Sequence, residues 1–297
     1  MASGYLTGLA AWCRAEGCQV KEWAGWERRS ASMGGFVKVM GIAEHHTASP
    51  VSMHGERDWQ YATYGNQNAP EYNIGIDPSG MVNILAAGGV NGQGRGGPLN
   101  TSQGVIPPAG SNYRAVAISY GNNGTGESYS AAMMDAGVRA TAAVVRNTGL
   151  KVGDIFAHKE WCGPGTTTPG RKIDPYGPWV GGGDWGPQQG RIDVFRSRVY
   201  NYLYPAIPPI PAPTGKGSKR MFIVFQWTGD PSTWWVTDTV QYRRIWDFNA
   251  MNLITLWQSY LGYPPDMRKV HQLDNNMIHT VGAPAPGVVP GPWPAAY

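Results

Sequence analysis

Four histidines have types and positions that could do chemistry together. His45 and His46 close the apolar run FVKVMGIAEHH at 36–46, His54 follows in a polar loop, and His158 precedes a stretch rich in Gly, Thr and Pro. Imidazole is the commonest metal ligand near neutral pH. A histidine pair at a strand end with a distant histidine before a loop is a metal-site pattern. A catalytic zinc needs about three protein ligands and one position left open for water. The third ligand could come from Cys162 or Asp174, because zinc accepts a thiolate or a carboxylate. On residue types alone both stay open, and any single histidine could equally be structural.

Four segments carry a resemblance: EHHTAS at 44–49, YNIGIDPSG at 72–80, AVAISYGNNGTGE at 115–127 and HKEWCGPGTTTPGRKIDP at 158–175. Together they resemble the zinc-dependent N-acetylmuramoyl-L-alanine amidases of the amidase-2 group, which share a fold with the peptidoglycan recognition proteins. Their order, with the opening helix, is most similar to actinobacteriophage endolysins, and the likeness covers residues 4–204. It implies an α/β fold, a mixed central β-sheet flanked by helices; the alternation in MFIVFQW and WWVTDTV adds a second, smaller β-rich domain after it. The resemblance also implies zinc held by His45, His158 and Asp174, with Lys172 two positions before Asp174. Cys162 is the rival ligand. The Lys-x-Asp spacing favours Asp174, although GPGTTTP makes the gap from His158 longer than usual. His45 is preferred to His46 because the family ligand precedes a polar residue and then Thr or Ser. Strand alternation agrees, placing Val37, Val39, Gly41, Ala43 and His45 on one face and Lys38 and Glu44 on the other. His46 is left a supporting or packing role, and His54 is expected to be solvated.

The implied chemistry is hydrolysis of the amide joining muramic acid to L-alanine. Tyr72 would orient or deprotonate the attacking water, and Lys172 would stabilise the charge that develops on the carbonyl oxygen. One position departs from the pattern. Some relatives carry a glutamate general base at the end of the strand matching AVAIS, and here that place holds Ser119. A serine is no base near neutral pH without its own activator. Glu127 could stand in but is expected to shape its loop. Non-catalytic peptidoglycan recognition, a virion-borne wall-binding component and zinc cleavage of a different peptide bond are the competing readings.

These residues need elements to hold them. A helix is expected within 4–17, stopped by Gly17, and strands at 36–46, 72–76, 81–85, 114–120 and 152–157. The Pro-Ser-Gly turn after Asp77 joins the second and third of these strands. Residues 130–147 give the clearest helix, with Ser130 as cap and Gly149 near its end. A last helix at 189–204 carries an apolar stripe of Ile192, Phe195, Val199 and Leu203. The loop GGVNGQGRGGP at 88–98 lacks the Gly-Lys-Ser/Thr ending of a phosphate loop, so nucleotide binding is not expected there.

With 297 residues the chain is long enough for two domains. Residues 1–204 would form the zinc amidase domain, 205–219 a Pro-rich linker, and 220–297 a small aromatic-rich β domain. That last part holds Trp227, Trp234, Trp235, Trp246 and Trp257; counted together with Lys216 and Lys219 of the linker, it has seven basic residues against five Asp. Aromatic faces stack on sugars, so it could bind cell wall; equally, these rings could fill the core of a small domain. A net charge of +4 without a run of like charges gives no nucleic-acid footprint. No apolar stretch is long enough to span a membrane. Three cysteines are not a disulfide framework. The start lacks a basic n-region and is broken by Arg14, so no signal peptide is expected. The enzyme would act as a monomer, stay in the host cytoplasm until lysis, and then attack the wall.

Overall fold

Burial on both faces organises the centre of the molecule. A computed structural model describes residues 4–205 except 66 and 68, together with the backbone of three strands at 223–227, 230–237 and 242–246. The chain divides into two units, Met1–Pro208 and Pro209–Tyr297. In the first, α1 (Leu9–Ala15) leads to β1 (Val20–Glu22) and β2 (Gly41–His46). Then come α2 (Glu56–Gln60), β3 (Ile74–Ile76), β4 (Val82–Ile84), β5 (Leu99–Thr101), β6 (Gly104–Ile106) and β7 (Ala115–Tyr120). The unit ends with α3 (Ala131–Thr148), β8 (Ile155–Ala157), α4 (His158–Trp161) and α5 (Asp193–Leu203).

Six strands form one mixed sheet in the order β1-β4-β3-β7-β2-β8. The pairs β1–β4, β3–β7, β7–β2 and β2–β8 are parallel, and β3–β4 is antiparallel. Helices α3 and α5 share one hydrophobic cluster with α1 and the sheet residues Ile42, Ile74, Ile76, Val116 and Ile118. The architecture is therefore the expected α/β type, a mixed sheet flanked by helices.

Helix α3 starts where its cap chemistry places it. The Ser130 hydroxyl accepts the Met133 N–H at 3.0 Å, satisfying one free donor of the first turn. Gly149 ends it in the left-handed conformation at φ +74°, which costs glycine nothing. The stripe read on α5 is also present: Ile192, Phe195, Val199 and Leu203 are all buried.

Strand β2 is shorter than its apolar run. The expected strand at 36–46 begins only at Gly41, because Phe36 instead bridges Gly4 and Val37 is exposed. Lying between β7 and β8 and covered on both faces, β2 is buried at all six positions. Glu44 therefore does not mark a wet face. It is fully buried on the helix side, where Tyr120 donates to Oε2 at 3.0 Å and Thr141 Oγ1 lies 2.9 Å from Oε1.

The opposite face of the sheet is covered by α2 and the π-helical turn Tyr61–Gly65. Trp59 lies fully buried directly over Gly75, where a Cβ would stand 2.5 Å from the indole ring. Gly75→Ala should thus cost about 1–3 kcal/mol by overpacking, read as a lower thermal midpoint of a folded variant.

Sequence periodicity did not reveal α2, α4, β1 or the β5–β6 hairpin, each of five residues or fewer. The hairpin is held from outside its own pairing: Asp154 accepts Ser102 N–H and Oγ–H, both at 2.6 Å.

In the second unit, β9 (Ile223–Trp227), β10 (Asp230–Thr237) and β11 (Tyr242–Trp246) form an antiparallel sheet in the order β11-β10-β9. Trp235 pairs with Phe225 on one side and Arg244 on the other. The expected linker beyond residue 205 and the Ala/Pro/Gly-rich end at 283–297 lie outside the described residues. Among the described residues, no helix is long and apolar enough to cross a membrane.

Candidate metal centre

Two neighbouring parallel strands bring the site together. His45 is the penultimate residue of β2, and His158 follows directly on β8, which pairs with β2. Their rings lie 4.6 Å apart at 68°. Asp174 comes from the loop after α4, whose return is tied down by the Lys159 N–H donating to the Asp174 carbonyl at 2.8 Å. Its Oδ2 lies 3.1 Å from Nδ1 of both His45 and His158. All three side chains are buried, and their donor atoms fall within 4.8 Å of one another. Among the described residues this is the one such group of His, Cys, Asp and Glu.

The donor set fits a small divalent cation. A tetrahedral zinc with bonds of about 2.0–2.1 Å spaces its ligand atoms by roughly 3.3–3.4 Å, close to the carboxylate–imidazole distances here. The electrostatics agree. Burial alone would raise the Asp174 carboxyl, but the charge of His158 and hydrogen bonds from both histidines outweigh it and hold the group well below the usual carboxylate range. Burial pushes His45 down to about 4, so its ring is neutral, as a ligand must be.

The other residues singled out in the sequence stand around this centre in different ways. The Tyr72 ring lies 5.4 Å from that of His45. Burial, with a smaller push from Glu71, lifts its phenol well above the ordinary value, so it keeps its proton. Lys172 is half-buried, and its charge disfavours protonation of His45, His46 and His158. His46 is not part of the donor group. Its Nδ1 lies 3.2 Å from the Tyr129 hydroxyl, which donates to the Tyr176 carbonyl at 3.2 Å.

Cys162 also stands apart. Its sulfur is 3.4 Å from Arg171 Nη2, which in turn is 3.3 Å from His158 Nε2. The thiol thus approaches the edge of the ring away from Asp174. Ser119, buried, sits directly across from His45 in the β2–β7 register. Glu127 shapes its own loop by accepting the Asn123 N–H at 2.9 Å.

His54 corrects the expectation of a solvated side chain. Its side chain is 4% exposed, with Nδ1 3.3 Å from Glu127 and Nε2 3.1 Å from the Ser49 carbonyl. The loops after β2 and β7 fold over each other and enclose it, a tertiary event that its polar neighbours in sequence do not betray.

Two contributors went unnoticed in the sequence. The Gln93 carbonyl lies 2.8 Å from His158 Nε2, and Arg171 donates to the same carbonyl at 3.0 Å. A backbone acceptor has no sequence signature. The only signal was a glycine-rich loop lacking a phosphate-binding ending.

One family model and several solved structures are similar to this chain. Residues 36–177 match the Amidase_2 family model of N-acetylmuramoyl-L-alanine amidases. The match is narrower than 4–204 and leaves α1, β1 and α5 outside it. No curated protein matches the chain by sequence. Similar solved structures include the endolysin N-acetylmuramoyl-L-alanine amidase LysCS from Clostridium intestinale, at 15% identity and a TM-score of 0.34, covering 50% of this chain and 87% of that one. The amidase AmiD from E. coli, in complex with an anhydromuramyl peptide, is 15% identical at a TM-score of 0.37, covering 50% and 57%. Drosophila PGRP-LB is 16% identical at 0.34, covering 48% and 84%. Similarity at this level gives no residue of this chain a role. The chain thus carries, at residues 36–177, a domain of the Amidase_2 family of N-acetylmuramoyl-L-alanine amidases.

Proposed function

We propose that this protein is a phage endolysin that uses zinc to hydrolyse the amide between N-acetylmuramic acid and L-alanine in bacterial peptidoglycan. The carrying observation is the convergence of His45, His158 and Asp174 within a domain of the amidase family. These three residues would hold the ion, which supplies Lewis-acid polarisation of the scissile carbonyl and a more acidic water. Tyr72, which keeps its proton, would orient the attacking water rather than remove its proton. Lys172 places a cation where negative charge grows on the carbonyl oxygen. Water adds to the lactyl carbonyl carbon, the carbon–nitrogen bond breaks, and L-alanine leaves as a free amine. Ser119 takes no part as a base.

A non-catalytic recognition protein is the second reading, and the complete donor set argues against it. In the same proposal, residues 205–219 are a linker and 220–297 a wall-binding domain that raises the local concentration of the enzyme on its substrate. Its tryptophans support that role.

Digestion of purified actinobacterial peptidoglycan should release new L-alanine amino termini and leave the glycan strands intact, and a chelator should stop the reaction. New reducing sugars would point to a glycosidase instead. Peptidoglycan bound but uncut by the zinc-loaded protein would favour the recognition reading.

A further inference from the structure

The loop at 88–98 and the long GPGTTTP insertion are two sequence features the catalytic reading leaves unused. The structure interlocks them. The carbonyls of residues 93–96 all accept side-chain donors from the segment that runs from His158 to Arg171. His158 Nε2 and Arg171 meet Gln93, and Trp161 Nε1 donates to Gly94 at 3.2 Å. Arg171 and Thr168 donate to Arg95 at 2.6 and 3.2 Å, and Thr167 donates to Gly96 at 3.1 Å. Glycine is needed for so close an approach: Gly97 has φ +69°, and a Cβ there would overlap the Trp161 ring.

We propose that this run of carbonyls is the outer support of the metal site, with Arg171 as its positioning residue. The inference rests on the zinc reading above. A neutral imidazole has two tautomers, and only one presents a lone pair at Nδ1, the atom that faces Asp174. A carbonyl can only accept, so with zinc bound the Gln93 oxygen at 2.8 Å takes the His158 Nε2–H and turns Nδ1 toward the ion. That leaves Nδ1 free to bind a cation. Arg171 keeps the carbonyl in place by donating to Gln93 and Arg95 together. It stands three residues before Asp174, so it joins the loop that fixes the tautomer of one ligand to the loop that carries another. The extra length of GPGTTTP places Thr167 and Thr168 against the same carbonyls.

Two measurements on the full chain test this. In the zinc-loaded wild type, side-chain nitrogen NMR should show His158 with its proton on Nε2 and its Nδ1 as the ligating nitrogen; ligation through Nε2 would overturn the proposal. In competition with a chromophoric chelator, Arg171→Ala should bind zinc about 10–100-fold more weakly than wild type, with the metal-free melting temperature nearly unchanged. Arg171→Lys, which can reach one carbonyl but not two, should fall between them and serves if the alanine variant does not fold. Zinc affinity within threefold of wild type in both variants, or a weakening fully matched by loss of metal-free stability, would refute the role of Arg171. A wild type that binds no zinc would instead refute the zinc reading.

Discussion

Asp174→Ala should abolish zinc binding and slow amide hydrolysis by at least about 10³-fold, which is about 4 kcal/mol of transition-state stabilisation. Asp174 supplies the only carboxylate of the donor group, and its Oδ2 is the atom on which both imidazoles converge. Two histidines without it offer too few ligands for a closed-shell ion that takes three protein donors in catalytic sites. The carboxylate is also held ionised by its surroundings, so it is ready to bind a cation without first losing a proton. Cys162→Ser is the paired control. The thiol sits on the Nε2 edge of His158 beside Arg171, so its loss should leave zinc stoichiometry at one per chain. Metal content of the purified variants, with release of L-alanine amines from peptidoglycan, gives both readouts. A Cys162→Ser protein without zinc, beside an Asp174→Ala protein that retains it, would show that the ligand set is wrong.

What could be read from the sequence followed from the length and regularity of each element. Helix α3 spans 18 residues, with a serine at one end and a glycine at the other, so periodicity and capping agreed. The strands β2 and β7 were legible as β-branched apolar runs. Alternation along β2 also separated His45 from His46: the first meets Asp174, and the second turns to Tyr129. The short pieces α4, β1, β5 and β6 carry no period to detect, and each forms because something distant holds it, as Asp154 holds the β5–β6 hairpin. The same limit applies at the centre. The side chains that converge were visible as residue types, whereas the carbonyl that orients His158 was not. The burial of Glu44 was not legible for a related reason. A charged residue on a strand suggests a wet face, but β2 has neighbours on both edges and cover on both faces.

That buried carboxyl leads to the second large effect. Glu44→Gln should remove a pH dependence of stability that the wild type carries. Burial pushes the Glu44 carboxyl up to about 8 against an ordinary value of 4.5, and the hydrogen bonds with Thr141 and Tyr120 offset only part of that rise. The folded protein therefore keeps the proton at neutral pH, while the unfolded chain releases it near the ordinary value. Between pH 4.5 and about 8 the folded state binds more protons, so stability falls as pH rises through that window and levels off above it. At 1.36 kcal/mol per pH unit, the whole window is worth about 5 kcal/mol. Glutamine carries no charge in either state, so this slope disappears. Its amide can pair with Tyr120 and Thr141 but leaves one N–H buried without a partner, at about 1–3 kcal/mol. Glu44→Gln should accordingly be less stable than wild type near pH 5 and more stable near pH 8. Urea unfolding of both proteins at several pH values gives the difference curve, in which titrations common to the two cancel. A difference that stays constant from pH 5 to 8 would mean that Glu44 is ionised in the folded protein. The core between β2 and α3 would then have to hold a bare carboxylate, for which the described residues around it offer two hydroxyl groups and no cation.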